Sequence, residues 1–393
     1  MFSHRVPPDL APNRLSAMVE AARVEGRAIV DLTVSNPTRA GFEYPDDLLA
    51  PLADARALHY HPQPRGGIEA RRAVARDYER QGVLVDADRV VLTASTSEAY
   101  SMLFKLLAEA GDDVLVPRPS YPLFEHLTRL DLVAARPYDL EYHGAWSIDM
   151  SSVERAITPR TRALLVVSPN NPTGSFVTRA ELERLATLCA PREIAIIADE
   201  VFADYELEEG AVAAAGRAST RRDVLSFSLG GLSKSVGLPQ LKLGWMAVSG
   251  PEALVAAAIE RLELICDTYL SVSTPSQMAA PALLSVGAAI RARIAARTAV
   301  NYRWLRSTVA RVPSCHVLRS EGGWSAVLQV PSLEPEEDLA LRLLADGVLI
   351  QPGYFYDFPR ESFLIVSLLT PPAALAVGID RVFRHFDCRA ASS

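Results

Sequence analysis

Apolar positions along this chain fall into two rhythms. Near the N-terminus Leu15, Val19 and Ala22 recur at helical spacing between Asn13, a good N-cap residue, and Gly26, which predicts a short amphipathic helix. The strand "AIVDLTVS" follows. From about residue 89 to residue 249 the pattern becomes short apolar runs separated by helical stretches: "RVVLTAS", "DVLVPRP", "RALLVVSP", "EIAIIAD", "DVLSFSL" and "GWMAVSG". Strands that are apolar on both faces and alternate with helices predict a mostly parallel sheet covered on each side. After Gly287 the Ala/Arg-rich stretch "AAIRARIAARTAVNYRWLRSTVARV" predicts a long helix, followed by a smaller set of strands and helices.

This pattern gives an α/β fold class: a large domain with a mostly parallel central sheet flanked by helices, plus a smaller α+β domain. At 393 residues the chain exceeds the size at which a single core stops growing, so two domains are expected. We expect residues 1–49 to pack with residues 284–393 as one discontinuous small domain around a large domain of residues 50–283.

Composition narrows the function by exclusion. Hydrophobic residues at 49% and charged residues at 22% are those of an ordinary globular protein, and a net charge of -7 without a basic block gives no footprint for nucleic acid or an anionic membrane. No stretch is expected to cross a membrane, and the N-terminal "MFSHRVPPDL" lacks the apolar core of a signal peptide, so a cytoplasmic protein is expected. Cys189, Cys266, Cys315 and Cys388 are too widely spaced for a metal knuckle or a disulfide framework and are expected to be reduced thiols. His59 and His61 lack a third ligand, so no metal is expected.

Lysine use is the compositional anomaly. Only Lys105, Lys234 and Lys242 occur among 40 basic side chains. A chain that writes arginine for its generic cations keeps lysine where a primary amine matters, because a guanidinium forms no Schiff base.

Ligands of such sheets bind beyond the carboxyl ends of the strands, which directs attention to the residues there. After "RVVLTAS", Ser95, Thr96 and Ser97 open a helix, either as plain N-capping or as a phosphate site. After "DVLVPRP" comes Tyr121, a ring that either packs or covers a flat ligand. After "RALLVVSP" comes "NNPTG", either plain turn chemistry or a turn that aims an asparagine amide into the crevice, where it can donate to a phenolate oxygen. Asp199 ends an apolar strand, where a carboxylate is costly unless a cation such as a protonated heterocycle neutralises it. The loop after "DVLSFSL" carries Lys234, with Lys242 eight residues on. Phosphate cradle, aromatic cover, amide donor, buried carboxylate and reactive amine together are the requirements for holding pyridoxal phosphate.

Through "TASTSEA", "PSYP", "NNPTG", "ADEVF" and "LSKSVGLPQLKLGW" the chain resembles the class I/II aminotransferases of pyridoxal-phosphate fold type I over essentially its whole length. The resemblance implies that Lys234 is the internal-aldimine lysine and Asp199 the partner of the pyridine nitrogen. It also implies that Asn171 donates to the ring oxygen, that Tyr121 stacks on the ring, and that Thr96, Ser97 and Lys242 hold the phosphate. Tyr60, in "YHPQPRGG", matches the tyrosine that such enzymes send to the partner subunit's phosphate, which implies a homodimer.

Four positions depart from the family pattern. Lys242 stands for an arginine, Gly231 for a serine and Phe202 for a tyrosine, and Ile365 in "FLIVSLLTPP" occupies the place of the arginine that clamps the substrate α-carboxylate. Arg39, and after it Arg360, are candidates for a substitute cation; the aromatics of "PGYFYDF", Tyr354 among them, and Trp324 suggest an apolar or aromatic substrate. The reading is transamination between a small-molecule amino donor and a keto acceptor. The alternatives are another enzyme of the same cofactor (lyase, decarboxylase or racemase) and a cofactor-binding protein without turnover.

Overall fold

The computed structural model describes residues 2–390, the side chains of 387–390 excepted, so the expectation for Cys388 lies outside the described side chains. The predicted first helix is present at Arg14–Val24. Asn13 caps it by accepting from the Ser16 backbone N–H, and Leu15, Val19 and Ala22 are buried. Of the strand expected next, β1 (Val30–Asp31) is the paired part.

Eight strands build the large sheet: β2 (Val90–Thr93), β3 (Asp113–Arg118), β4 (Ala134–Tyr142), β5 (Trp146–Ile148), β6 (Thr161–Val167), β7 (Ala195–Asp199), β8 (Ser226–Gly231) and β9 (Gly244–Ser249). Their order is β2-β9-β8-β7-β6-β3-β4-β5. The inner pairs β4/β3, β3/β6, β6/β7 and β7/β8 are parallel, whereas β9 runs antiparallel to both β8 and β2. Ile196 and Ile197 on β7 are both 0% exposed, because helices cover each face of the sheet. Burying each such side chain stabilises the fold by roughly 1.5 to 3 kcal/mol.

A second sheet comprises β10 (His316–Val317), β11 (Ser325–Gln329), β13 (Gln351–Pro352) and β14 (Phe363–Ser367), all antiparallel, in the order β10-β11-β14-β13. Between β11 and β13, β12 (Val348–Leu349) pairs in parallel with β1, so residues near the N-terminus are tied to this C-terminal unit. Side chains alternate across the second sheet. Leu364 and Val366 enter a closed core with Leu328 and Ala326, which turns Ile365 and Ser367 to the opposite face, toward the large sheet.

The expected long helix spans Thr274–Val309 and starts earlier than Gly287, running unbroken through residue 283. By length and composition alone this helix is apolar enough to span a bilayer, a test that buried core helices also pass. Its apolar positions Ala280, Leu283, Leu284, Ile290 and Ile294 instead join the core that also holds Val74 and Tyr78 of the helix Ile68–Arg80.

Candidate active site

Strand direction brings the chemistry to one edge. β3, β6, β7 and β8 run parallel and end there, and β2 ends there too because it is separated from β8 by the reversed β9. By the same reversal β9 begins at that edge, so Lys242, two residues before Gly244, joins residues that follow the other strands. A cavity of about 420 Å³ lies beyond these ends. Thr96, Ser97, Tyr121, Asn171, Asp199, Lys234 and Lys242 all line it, and Ile365 lines its opposite wall.

The helix Thr96–Leu107 starts at this cavity. Ser95 accepts from the Glu98 N–H at 3.1 Å, and Glu98 returns a bond to the Ala94 N–H at 2.6 Å. The capping serine is thus engaged, and the Thr96 and Ser97 hydroxyls stand at the positive end of the helix dipole. Backbone packs closely behind them: a Cβ on Gly244 would fall 3.0 Å from the carbonyl carbon of Ser95. Lys242 has φ of +48°, a left-handed conformation uncommon for residues other than glycine.

At the floor, Asp199 Oδ2 accepts from the Tyr100 hydroxyl at 2.9 Å and Oδ1 accepts from the Val201 N–H at 3.2 Å. Burial raises the pKa of Asp199, against the opposing pull of those two donors and of Lys234. Burial likewise lowers the pKa of Lys234, with Asp199 acting in the other direction. The Lys234 Nζ lies 5.2 Å from the centroid of Trp324 and 5.8 Å from that of Phe202, whose rings meet edge-on at 5.1 Å. A buried amine between two aromatic walls, near a carboxylate, is set up as a nucleophile and proton carrier. Asn171 Oδ1 accepts from Ser325 at 3.1 Å, which leaves the amide N–H groups of Asn171 to donate elsewhere.

Four expected participants lie apart. Arg39 is exposed in the turn Pro37–Arg39, and Tyr354 is 38% exposed with its ring against Phe355 at 4.7 Å; neither lines the cavity. Arg360 is exposed and also outside. Tyr60 is 73% exposed and makes no side-chain hydrogen bond among the described residues. Lys105, the remaining lysine, sits in a surface ion pair with Asp131 and bonds Ser101 at 2.7 Å.

Sequence reading missed Tyr100 and Gln351, both in the lining, whereas Tyr356, also there, is one of the aromatics of "PGYFYDF". Tyr100 was detectable as the residue one turn after Thr96 on the same helical face. Gln351 had no comparable signal, since only the pairing of β13 with β14 brings it beside Ile365.

Against known proteins, the model of the family "Aminotransferase class I and II" matches residues 28–382. The alanine aminotransferase of Mycobacterium tuberculosis is 30% identical over 388 residues, covering 92% of this chain and 87% of that protein. The glutamate-pyruvate aminotransferase AlaA of Escherichia coli is 28% identical over 267 residues, covering 66% of this chain and 65% of the relative. Among solved structures, the alanine aminotransferase of Pyrococcus furiosus superposes with a TM-score of 0.86 at 24% identity, covering 98% of this chain and 99% of its own. The aspartate aminotransferase of Thermus thermophilus with maleate does so at 0.81 and 24%, with the same coverage. These likenesses bear out the fold expected from the strand pattern.

Proposed function

This chain belongs to the class I and II aminotransferase family, and on that premise we propose that Lys234 is the amine through which it moves an amino group between a small-molecule donor and a keto acceptor. The protein is a transaminase, and its cofactor is pyridoxal 5'-phosphate.

The donor set of the cavity fits that cofactor. Asp199 is a desolvated carboxylate hydrogen-bonded by one tyrosine and one backbone N–H, which suits a protonated ring nitrogen. Thr96, Ser97 and Lys242 would hold the phosphate, Asn171 would donate to the ring oxygen, and Tyr121 would cover the ring face. When bound, the cofactor supplies an electron sink for charge developing on the substrate carbon.

The chain's own groups do the rest. Burial holds Lys234 below the usual lysine pKa, so more of it is the neutral amine that attacks a carbonyl and accepts a proton. Asp199, once paired with a cation, regains its ionised form and keeps the ring nitrogen protonated. Phe202 and Trp324 wall the amine from water, and Tyr205, whose hydroxyl donates to the Lys234 carbonyl oxygen at 2.5 Å, fixes the backbone that carries it. Phe202 brings no hydroxyl to the ring oxygen, which leaves Asn171 as the donor there.

Tyr60, open to solvent, would complete the phosphate site of a second copy, so the working form is a homodimer. The names of the relatives support small amino and keto acids as substrates. Ile365 in the cavity wall argues for a donor other than the acidic amino acids.

Lys234 in the same cavity as Asp199 is the observation that carries this reading. Borohydride reduction of the holoprotein followed by peptide mapping should place the cofactor on Lys234. Label on a peptide holding Lys105 or Lys242 would overturn the assignment.

A further inference from the structure

The wall around Ile365 has a hydrogen-bonding pattern of its own. Gln351 is the cross-strand neighbour of Ile365 in the β13/β14 pair, and both line the cavity. The buried Tyr356 donates its hydroxyl proton to Gln351 Oε1 at 2.5 Å. That bond leaves the two amide N–H groups of Gln351 without an acceptor among the described residues.

The serine hydroxyls beside them are oriented the other way. Ser367 donates to the Val34 carbonyl at 2.5 Å, and its cross-strand neighbour Ser325 donates to Asn171 Oδ1. Ser367 Oγ also accepts from the Leu369 N–H at 3.2 Å, so the acceptor left open in the lining is the Ser325 oxygen, which no donor meets among the described residues. The cations in the lining are Lys234 and Lys242, both committed to the cofactor in the reading above.

A carboxylate offers acceptors only. Against Ile365 it would lose hydration, gain one neutral amide and meet serine lone pairs, with no opposite charge in reach. A group that both accepts and donates meets the pattern fully: its oxygen takes an N–H of Gln351, and its own proton goes to Ser325. Resting on the transaminase reading, we infer that this cavity takes an amine whose reacting carbon bears an uncharged donor–acceptor group, a primary carboxamide or a hydroxymethyl, and that Gln351, oriented by Tyr356, selects it.

The test compares L-alanine, L-alaninamide and L-alaninol as donors in the half-reaction of the holoenzyme, read from the absorbance of the bound cofactor. Alaninamide or alaninol should exceed alanine in kcat/KM by about tenfold or more. Gln351→Leu should abolish that preference, and Tyr356→Phe should narrow it, with cofactor absorbance retained in both. Equal or faster reaction of alanine in the wild type overturns the proposal, as does an unchanged preference in both variants. Lactamide and lactate, which carry no amine, separate this inference from the reaction class. If no amine reacts, tighter binding of lactamide than lactate, read as a shift in cofactor absorbance, upholds the subsite while the transamination reading falls. Equal or weaker binding of lactamide overturns the subsite.

Discussion

In the reading proposed above, a single side chain, Ile365, decides which charges the cavity tolerates. It is 2% exposed and packs with Val327, Tyr356 and Phe358 on the wall facing Lys234. A guanidinium there would give an α-carboxylate a charge-assisted, bidentate contact of roughly 1.5 to 3 kcal/mol. Glutamate and aspartate are accordingly expected to be slow donors, and Ile365→Arg should raise their half-reaction by about ten- to a hundredfold in single-turnover measurements. Fast turnover of glutamate by the wild type would refute this. At this scale Asp199 and Lys234 were legible in the sequence, because a carboxylate ending an apolar strand and a lysine in an arginine-rich chain are both exceptions to local rules. Arg39 misled because its loop borders the site while its side chain turns to solvent. Gln351 was invisible because a lone amide breaks no local rule; its meaning comes from the register that sets it opposite Ile365.

At the scale of the element, the helix Thr96–Leu107 does two jobs with one face. Its first turn presents hydroxyls and unpaired N–H groups, and Tyr100, one turn on, reaches Asp199. The hydroxyl of Tyr100 favours the ionised carboxylate, opposing the burial that raises its pKa. In Tyr100→Phe that opposition is gone, so Asp199 takes up its proton at a higher pH as the solution is acidified. The acidic limb of the kcat/KM profile should then move to higher pH with little change in fold, and a limb that stays in place would count against the role. The apolar strand runs of the large sheet were readable because parallel strands are buried on both faces. The last two strands at one end of the sheet, β4 and the edge strand β5, were not, since Arg136, Pro137, Asp139 and Glu141 of β4 break the apolar run where the sheet meets solvent. The membrane-like composition of Thr274–Val309 has a similar origin: a helix packed into a core reads as apolar for the same reason as one in lipid.

For the whole molecule, the exposed Tyr60 and the neighbouring Leu58, at 85% exposure, suit a surface that a second copy covers. A homodimer should be found by sedimentation, and Tyr60→Phe should weaken cofactor binding about tenfold, the loss of one hydrogen bond to a charged phosphate. Full cofactor affinity in a monomer, indifferent to Tyr60→Phe, would exclude the arrangement. The parallel pairing of β1 with β12 has a consequence for vectorial synthesis. A chain leaving the ribosome has every strand of the cavity floor by residue 249, yet the segment Thr33–Ser35 must wait for β14, complete only at residue 367, before the opposite wall exists. Over more than a hundred residues of elongation, the half of the cavity that holds Asp199 and Lys234 is present before the half that holds Ile365.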